Sequence, residues 1–457
     1  METRYHSVIL DQDRCKGCTN CIKRCPTEAI RVRSGKAFIL TERCIDCGEC
    51  IRTCENHAKR AIGDDLSLIQ NFSRRIALPA PSLFGQFRKD LSPERILDGL
   101  LSLGFDEVAE VAEAAELSTV AIREYLNNLP DLPKPQISSA CPVVVRLIQM
   151  KFPTLIPNLI PIEPPYLTAA RLARKSAAAR LGLPNDAVGL FFITPCPAKI
   201  TEVKTMNGGP LIDGVIPISS IYGEMKRRLT SGATDRVQLK STGIGLGWAR
   251  SGGENIALSI ENGLAVDGIH NVLQVLEEIE LERLTDVDYL EALACPDGCV
   301  GGALTVENRF VARVKIRNLA DRWKGAPLAD ETVRRGSALF NEHELFRRGD
   351  LQALSGLQLD ANLADAIRKM GQVEEVLPQL PGLDCGSCGS PTCRSLAEDM
   401  VLGMAQLSDC VFILREQVND LAQELLLLAQ KRPRALKDVT EDKEEYENET
   451  SRNHKGH

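Results

Sequence analysis

The sequence predicts a multidomain α/β protein. It has a small α+β unit at the N-terminus, a large central α/β domain of two lobes, a small helical unit and a C-terminal helix. Three observations predict this. Two tight cysteine runs at residues 15–26 and 44–54 are set among short apolar stretches; longer apolar runs alternate with helical periodicity through the middle; a third cysteine group at 385–410 leads into a heptad pattern. A chain of 457 residues has room for several domains, one with a full-sized core. Its 44% hydrophobic and 26% charged residues are ordinary for a globular protein.

No apolar run reaches the roughly eighteen residues of a membrane span, and Met1 to Ser7 lack the apolar core of an export signal, so a cytoplasmic location is expected. A net charge of −7 without a basic stripe argues against nucleic acid as a partner. Sixteen cysteines in a reducing compartment point to metal ligation rather than disulfides, and they divide into four groups of four. The six histidines show no metal-ligand spacing.

Residues 1–70 contain Cys15, Cys18, Cys21 and Cys25 followed by Pro26, and then Cys44, Cys47, Cys50 and Cys54 at the same spacing. This resembles the bacterial two-cluster ferredoxin pattern, in which the fourth cysteine of each run serves the other cluster. The resemblance implies one [4Fe–4S] cluster on Cys15, Cys18, Cys21 and Cys54, and a second on Cys44, Cys47, Cys50 and Cys25. A zinc knuckle is the alternative. Val8–Leu10, Ile30–Val32 and Phe38–Leu40 suit the short strands of such a unit, whose function would be electron relay.

The central domain, 71–360, begins with a buried strand over Ile76–Ser82 that ends in a Pro-Ser turn. A helix is expected over Pro93–Leu103, with Ser92 as cap, Pro93 at its first position and Gly104 as its stop. Phe105–Val111 reads as the next strand. The apolar run Val188–Ile193 stops at Thr194-Pro195-Cys196, the strand-end placement that α/β folds use for ligands. Ile269, Val272, Leu273, Leu276 and Ile279 recur at helical spacing between Gly268 and Glu282.

Four cysteines of this domain lie far apart, in turn-prone settings. They are Cys141 in Ser138-Ser139-Ala140-Cys141-Pro142, Cys196 in Pro195-Cys196-Pro197-Ala198-Lys199 with Glu202 beyond, and Cys295 and Cys299 in Ala294-Cys295-Pro296-Asp297-Gly298-Cys299-Val300-Gly301-Gly302. These three loops resemble those of the [FeFe] (iron-only) hydrogenase large subunit. The resemblance implies that Cys141, Cys196, Cys295 and Cys299 hold a [4Fe–4S] cluster, with Cys299 bridging to a di-iron subsite that carries CO, cyanide and a dithiolate. It further implies that Lys199 contacts one cyanide, that the Ala80-Pro81-Ser82 turn contacts the other, and that Glu202 completes the second loop's motif. Ser251-Gly252-Gly253 is similar to a glycine-rich segment near the family's active site.

Departures from the pattern matter as much. Ala140 stands where catalytic members have a proton-passing cysteine, and Ala121 and Ile122 stand where two glutamates extend the proton path. Thr194 and Leu293 replace methionines, and the third loop continues as Ala303-Leu304-Thr305. Retained cluster ligands without the proton path resemble the family's sensory branch.

Residues 361–412 carry Cys385, Cys388, Cys393 and Cys410, which resemble a small four-cysteine Fe–S domain; a fourth [4Fe–4S] cluster is expected there, with zinc as the alternative. A helix is expected over Leu396–Ser408. Leu407, Val411, Leu414, Val418, Leu421, Leu425 and Leu428 then form a heptad seam over 407–430, read as a dimerising or partner-docking helix or as one packed on its own domain. Residues 431–457 read as a disordered charged tail.

The expected function is H2 binding or slow turnover (H2 ⇌ 2H+ + 2e−) for sensing. Electrons would pass through the cubanes to a redox or signalling partner of kinase or phosphatase type, and hydrogenase maturation proteins would supply the di-iron group. The alternative is an electron-transfer or cluster-carrier protein that never receives it.

Overall fold

Short spacers force the N-terminal chain into tight loops, so its regular elements are small. Strand Val8–Leu10 pairs antiparallel with Lys59–Ala61, and Ile30–Arg33 pairs with Lys36–Ile39. Helices Asn20–Lys23 and Glu49–Thr53 carry the third cysteine of each run, Cys21 and Cys50. The computed structural model describes residues 5–431 apart from 129–131, 183, 185–186, 207–210, 230–236 and 324, so all but the first residue of the expected charged tail lies outside the described residues. The chain divides into two units, Met1–Leu363 and Ala364–His457.

In the first unit two parallel sheets deliver the central loops. One has four strands in the order Glu107–Val108, Arg74–Pro79, Val188–Thr194 and Gly214–Pro217. The other has three, in the order Gly263–Asp267, Tyr289–Leu293 and Gln136–Ile137. Ser82 and Cys196 follow strands of the first sheet; Cys141 and Cys295 follow strands of the second. Every one of these positions lies just past a carboxyl end, where neighbouring loops diverge and leave a crevice.

Strand Val188–Thr194 is buried along its whole length, as its unbroken apolar run requires of a strand covered on both faces. Phe191 turns into one core with Leu97, Leu100 and Ile216, while Phe192 turns into another with Tyr166 and Ala170. Each such ring contributes roughly 1.5–3 kcal/mol by leaving water. The helix at Pro93–Ser102 starts where its cap indicates, with the Ser92 hydroxyl accepting the Arg95 N–H. Helix Ile269–Glu280 buries Ile269, Val272, Leu276 and Ile279, the face expected from its periodicity.

Two elements differ from expectation. The strand foreseen over Phe105–Val111 is only Glu107–Val108, because Val111 already opens the helix Val111–Asn128. In the second unit the helix foreseen over Leu396–Ser408 is Cys393–Val401. Gly403, at φ 73°, ends it: its N–H donates to Met400 and that of Met404 to Asp399, a Schellman closure. A short turn at Leu407–Asp409 then delivers Cys410 to the head of helix Val411–Gln430.

A buried carboxylate helps to build the N-terminal elements into the first unit. Asp46 accepts from the Ser7 and Val8 amides (3.1 Å each), from the Thr201 hydroxyl (2.9 Å) and from Arg146 (3.3 Å). Gly48 beside it has φ 73°, and a Cβ there would stand 2.6 Å from the Ala303 Cβ. Gly48→Val should therefore cost about 1–3 kcal/mol, through overpacking and a strained φ together, and lower the melting temperature in a thermal scan. An unchanged melting temperature would mean that this contact is loose.

Candidate iron–sulfur and hydrogen site

The N-terminal cysteines surround two cavities. Cys15, Cys18, Cys21 and Cys54 line one of about 360 Å³, and Cys25, Cys44, Cys47 and Cys50 line the other, of about 340 Å³. The fourth cysteine of each run thus faces the other run's cavity. Backbone amides already point at sulfur: Ala29 donates to Cys25 (3.2 Å), Ala58 to Cys54 (3.3 Å) and Ala37 to Cys15 (3.4 Å). Such donors stabilise thiolates that carry iron. One histidine has a place that spacing did not foretell, since His6 lies beside Cys44 and Asp46 with the potential ligand atoms within 4.8 Å of one another.

The loops carrying Cys141, Cys196, Cys295 and Cys299 converge electrostatically. Burial first, and then the neighbouring thiolates, push Cys141 up to about 11 and raise Cys196 and Cys299 as well; Lys199 works the other way on the last two. Thiols raised in this way are poor thiolates by themselves and good ligands for a cationic cluster. Local chemistry sets their loops. The Cys196 N–H donates to Thr194 Oγ1 (3.1 Å), so the threonine in the methionine position ties the cysteine loop and does not line the cavity beside it. Gly298, at φ 87°, passes so close to Ser251 that a Cβ would lie 2.6 Å from its nitrogen.

Against Cys299 lies a cavity of about 570 Å³, whose lining includes Ser82, Ala140, Tyr166, Lys199, Leu293 and two further acids, Glu254 and Glu291. Among the described residues, Lys199 has no carboxylate within ion-pair distance; its ammonium stands 5.2 Å from the Tyr166 ring centroid and 5.8 Å from that of Phe192. Burial opposes its charge, yet Cys299, Cys196, Cys141 and Glu202 outweigh that and raise its pKa. The Ser82 hydroxyl is fully buried with no hydrogen-bond partner among the described residues. A buried unpaired hydroxyl costs free energy unless an acceptor completes it, and an ammonium with no carboxylate beside it favours an anionic neighbour. They fit a group with small anionic ligands.

Glu202 does not line the cavity. It accepts from the Tyr166 hydroxyl and faces Arg347 at 3.8 Å, so it steadies the ring under Lys199. Ala140 lines the cavity as a methyl group, while Ala121 and Ile122 join Leu117, Ile160 and Trp248 in an apolar cluster with nothing to carry a proton. Glu116, close to those positions, is engaged in capping Thr242 and Gly245.

The two cavity acids escaped the reading of the sequence. Glu254 accepts from the Ser138 hydroxyl (2.7 Å) and the Tyr289 hydroxyl (2.6 Å). Glu291 accepts from the Gly252 and Asn255 amides (2.9 Å each), which gives the Ser251-Gly252-Gly253 turn its role. Burial raises Glu254 to about 7; burial and then the Glu254 charge raise Glu291 to about 8, so the two titrate as a pair near neutral pH. One signal was present: an acid inside the apolar strand Tyr289–Leu293, four residues before Cys295.

In the second unit Cys393 opens a helix capped by Thr392, with its amide donating to Asp384 (2.6 Å), and Cys410 is buried. Cys385 is exposed and Cys388 half-buried.

Comparison with known proteins agrees with this division. Residues 73–254 match the family described as iron only hydrogenase large subunit, C-terminal domain; residues 7–55 match a 4Fe-4S dicluster domain and 380–412 an Fe–S cluster domain. The periplasmic [Fe] hydrogenase large subunit of Nitratidesulfovibrio vulgaris is 24% identical over 364 residues, covering 65% of this chain and 86% of that protein. The chain is an [FeFe]-hydrogenase-like iron–sulfur protein. Another relative of this hydrogenase-like chain is the NADP-reducing hydrogenase subunit HndD of Solidesulfovibrio fructosivorans, 25% identical over 47% of this chain and 35% of that one. A solved structure of [FeFe]-hydrogenase HydA1 from Chlamydomonas reinhardtii aligns at 17% identity and TM-score 0.48, over 63% of this chain and 98% of that chain. The matched hydrogenase range includes Cys141, Cys196 and Lys199 and ends before Cys295 and Cys299.

The raised glutamates make a prediction for stability. Folded, they bind protons that the unfolded chain, with carboxyls at the ordinary 4.5, has already released. Their contribution is full below that value and is lost as pH rises through about 7–8. Glu254→Gln should flatten the decline of melting temperature across that window in calorimetry at matched iron content; an identical slope would mean that the pair does not hold protons.

Proposed function

We propose that the cavity beside Cys299 takes a di-iron group of the H-cluster type, and that the protein binds or slowly turns over H2 there, for redox or H2 sensing rather than energy conversion. One observation carries the reading: a lone ammonium, Lys199, and an unpaired hydroxyl, Ser82, line the same cavity as Cys299. When bound, that group would supply the open iron position at which H2 is held and split, H2 ⇌ 2H+ + 2e−. Cys141, Cys196, Cys295 and Cys299 would hold the attached [4Fe–4S] cluster, with Cys299 as the bridge. Lys199 and Ser82 would donate to its anionic cyanide ligands.

Proton handling supports slow chemistry. Ala140 offers no proton, and a missing acid at such a position typically costs about 10²–10⁴-fold. Glu254 and Glu291 hold protons at the cavity wall near neutral pH and serve as its substitute supply. The N-terminal cysteines would carry two [4Fe–4S] clusters as the electron relay, and the C-terminal four a further one. Maturation proteins would deliver the di-iron group, in a reducing, cytoplasmic setting that suits sixteen free thiols.

The helix Val411–Gln430 suits a signalling output through a second copy of the chain. It has no buried residue, and Val411, Leu414, Val418, Leu421, Leu425 and Leu428 are all exposed. Valine at two of its a positions and leucine at its d positions are the preferences of parallel two-stranded coils. A kinase- or phosphatase-type partner would then read the dimer. No helix among the described residues is long and apolar enough to cross a membrane.

Infrared spectroscopy tests the site. Inserting the di-iron precursor into cubane-loaded protein should produce CO and cyanide bands, and Lys199→Ala should shift or abolish the cyanide bands. Loaded cubanes without any such bands would favour the carrier function. For the helix, sedimentation velocity of the full chain should show a dimer that Leu414→Glu with Leu421→Glu converts to monomer. A monomeric parent chain would remove this output.

A further inference from the structure

Between the second N-terminal cysteine group and the central one, a guanidinium reaches toward a cysteine sulfur. Arg52 lies on the short helix Glu49–Thr53, two residues after Cys50 and two before Cys54. Its Nη1 points at Cys295 Sγ (3.7 Å) and donates to the Gly301 carbonyl (3.4 Å). Its Nη2 donates to the Cys47 carbonyl (3.4 Å), while Nε and Nη2 are held by Glu49 at 3.2 and 3.0 Å. One planar fork thus touches a ligand loop of each site.

The surroundings hold this geometry. Ile45 and Cys47 share an apolar core with Cys196, Ala198 and Val144, so the two cysteine sites lie across a packed interface rather than a solvent gap. Asp46 fixes the loop to Thr201, and Gly48 sits against Ala303 and Pro197. The Arg52 side chain is 22% exposed and its Glu49 partner 15%, so the contact is only weakly screened by water. Hydrogen bonds to cluster sulfurs and nearby fixed charge are principal determinants of iron–sulfur potentials.

We propose that Arg52 is a positioning residue for one-electron exchange between the cluster of Cys25, Cys44, Cys47 and Cys50 and the central cluster. In this step one electron would pass from the reduced cluster held by Cys25, Cys44, Cys47 and Cys50 to the oxidised central cluster, the first being oxidised as the second is reduced; no proton or bond would be exchanged. The cation favours the more negative, reduced state of the central cluster and draws the electron inward. Its fork also keeps the Cys47 loop and Cys295 in register. The inference rests on the reading that Cys141, Cys196, Cys295 and Cys299 hold a cubane, and does not need the di-iron group.

The test uses the full chain with its clusters loaded, in three forms: unaltered, Arg52→Lys and Arg52→Gln. Iron and sulfide content shows whether each variant keeps its clusters. Redox-titrated electron paramagnetic resonance then follows the central cluster's signal and its magnetic broadening by the reduced N-terminal neighbour. At a fixed potential near the midpoint, Arg52→Gln should lower the ratio of reduced to oxidised central cluster about tenfold, the scale of one charge-assisted hydrogen bond, and should change the broadening. Arg52→Lys, which keeps the charge, should stay close to the unaltered protein. A merely structural arginine would lose clusters or melting temperature in Arg52→Gln without moving the ratio in the clusters that remain, and that result overturns the inference. A missing central signal in the unaltered protein, with the N-terminal clusters present, would instead overturn the reading of the central site on which the inference stands.

Discussion

Gathering thiols at a partly buried site is unfavourable until something cationic joins them, and the central fold is arranged around that constraint. Its two parallel sheets end at the same crevice, and strand ends from both supply the sulfurs. The raised pKa values of Cys141, Cys196 and Cys299 express burial first and the neighbouring thiolates after it. Lys199, at the head of the same helix that follows Cys196, offsets part of that rise from within the protein. A metal cluster would relieve the remainder, so binding and closure of the three loops are thermodynamically one event.

The same electrostatic frame organises what surrounds the cysteines. Asp46 and Arg52 join the N-terminal relay to the central loops through buried or half-buried polar contacts, which hold geometry more stringently than apolar packing does. On the other side, Glu254 and Glu291 stay near neutrality because their surroundings penalise charge, and protonated acids can stand beside a cavity already rich in sulfur. Ala121 and Ile122 pack in an apolar cluster with Leu117, Ile160 and Trp248. The acids that line the cavity beside Cys299 are Glu254 and Glu291.

Local patterns were legible and long-range polar contacts were not. Cysteine spacing disclosed the paired N-terminal cavities, and Ser92, Pro93 and the Val188–Ile193 run announced their helix and strand, because each depends on neighbours in sequence. Gly403 cut a helix short although the apolar pattern continued past it, since a left-handed residue ends hydrogen bonding whatever side chains follow. Glu254 reaches Ser138 across 116 positions and Arg52 reaches Cys295 across 243, separations at which no periodicity carries information. The lack of acids at Ala121 and Ile122 could be read from the sequence; the two acids at the cavity wall needed the fold.

That Glu254 and Glu291 supply the protons of the proposed site is the central claim, and exchange of H2 with D2O tests it most directly, because HD forms only when solvent deuterons reach the site. In matured protein, Glu291→Gln and Glu254→Gln should each suppress HD formation by about 10²-fold or more, while Ala140→Cys, which restores a proton-carrying thiol, should raise it. Unchanged exchange in both glutamine variants, with the infrared signature of the site intact, would contradict the account.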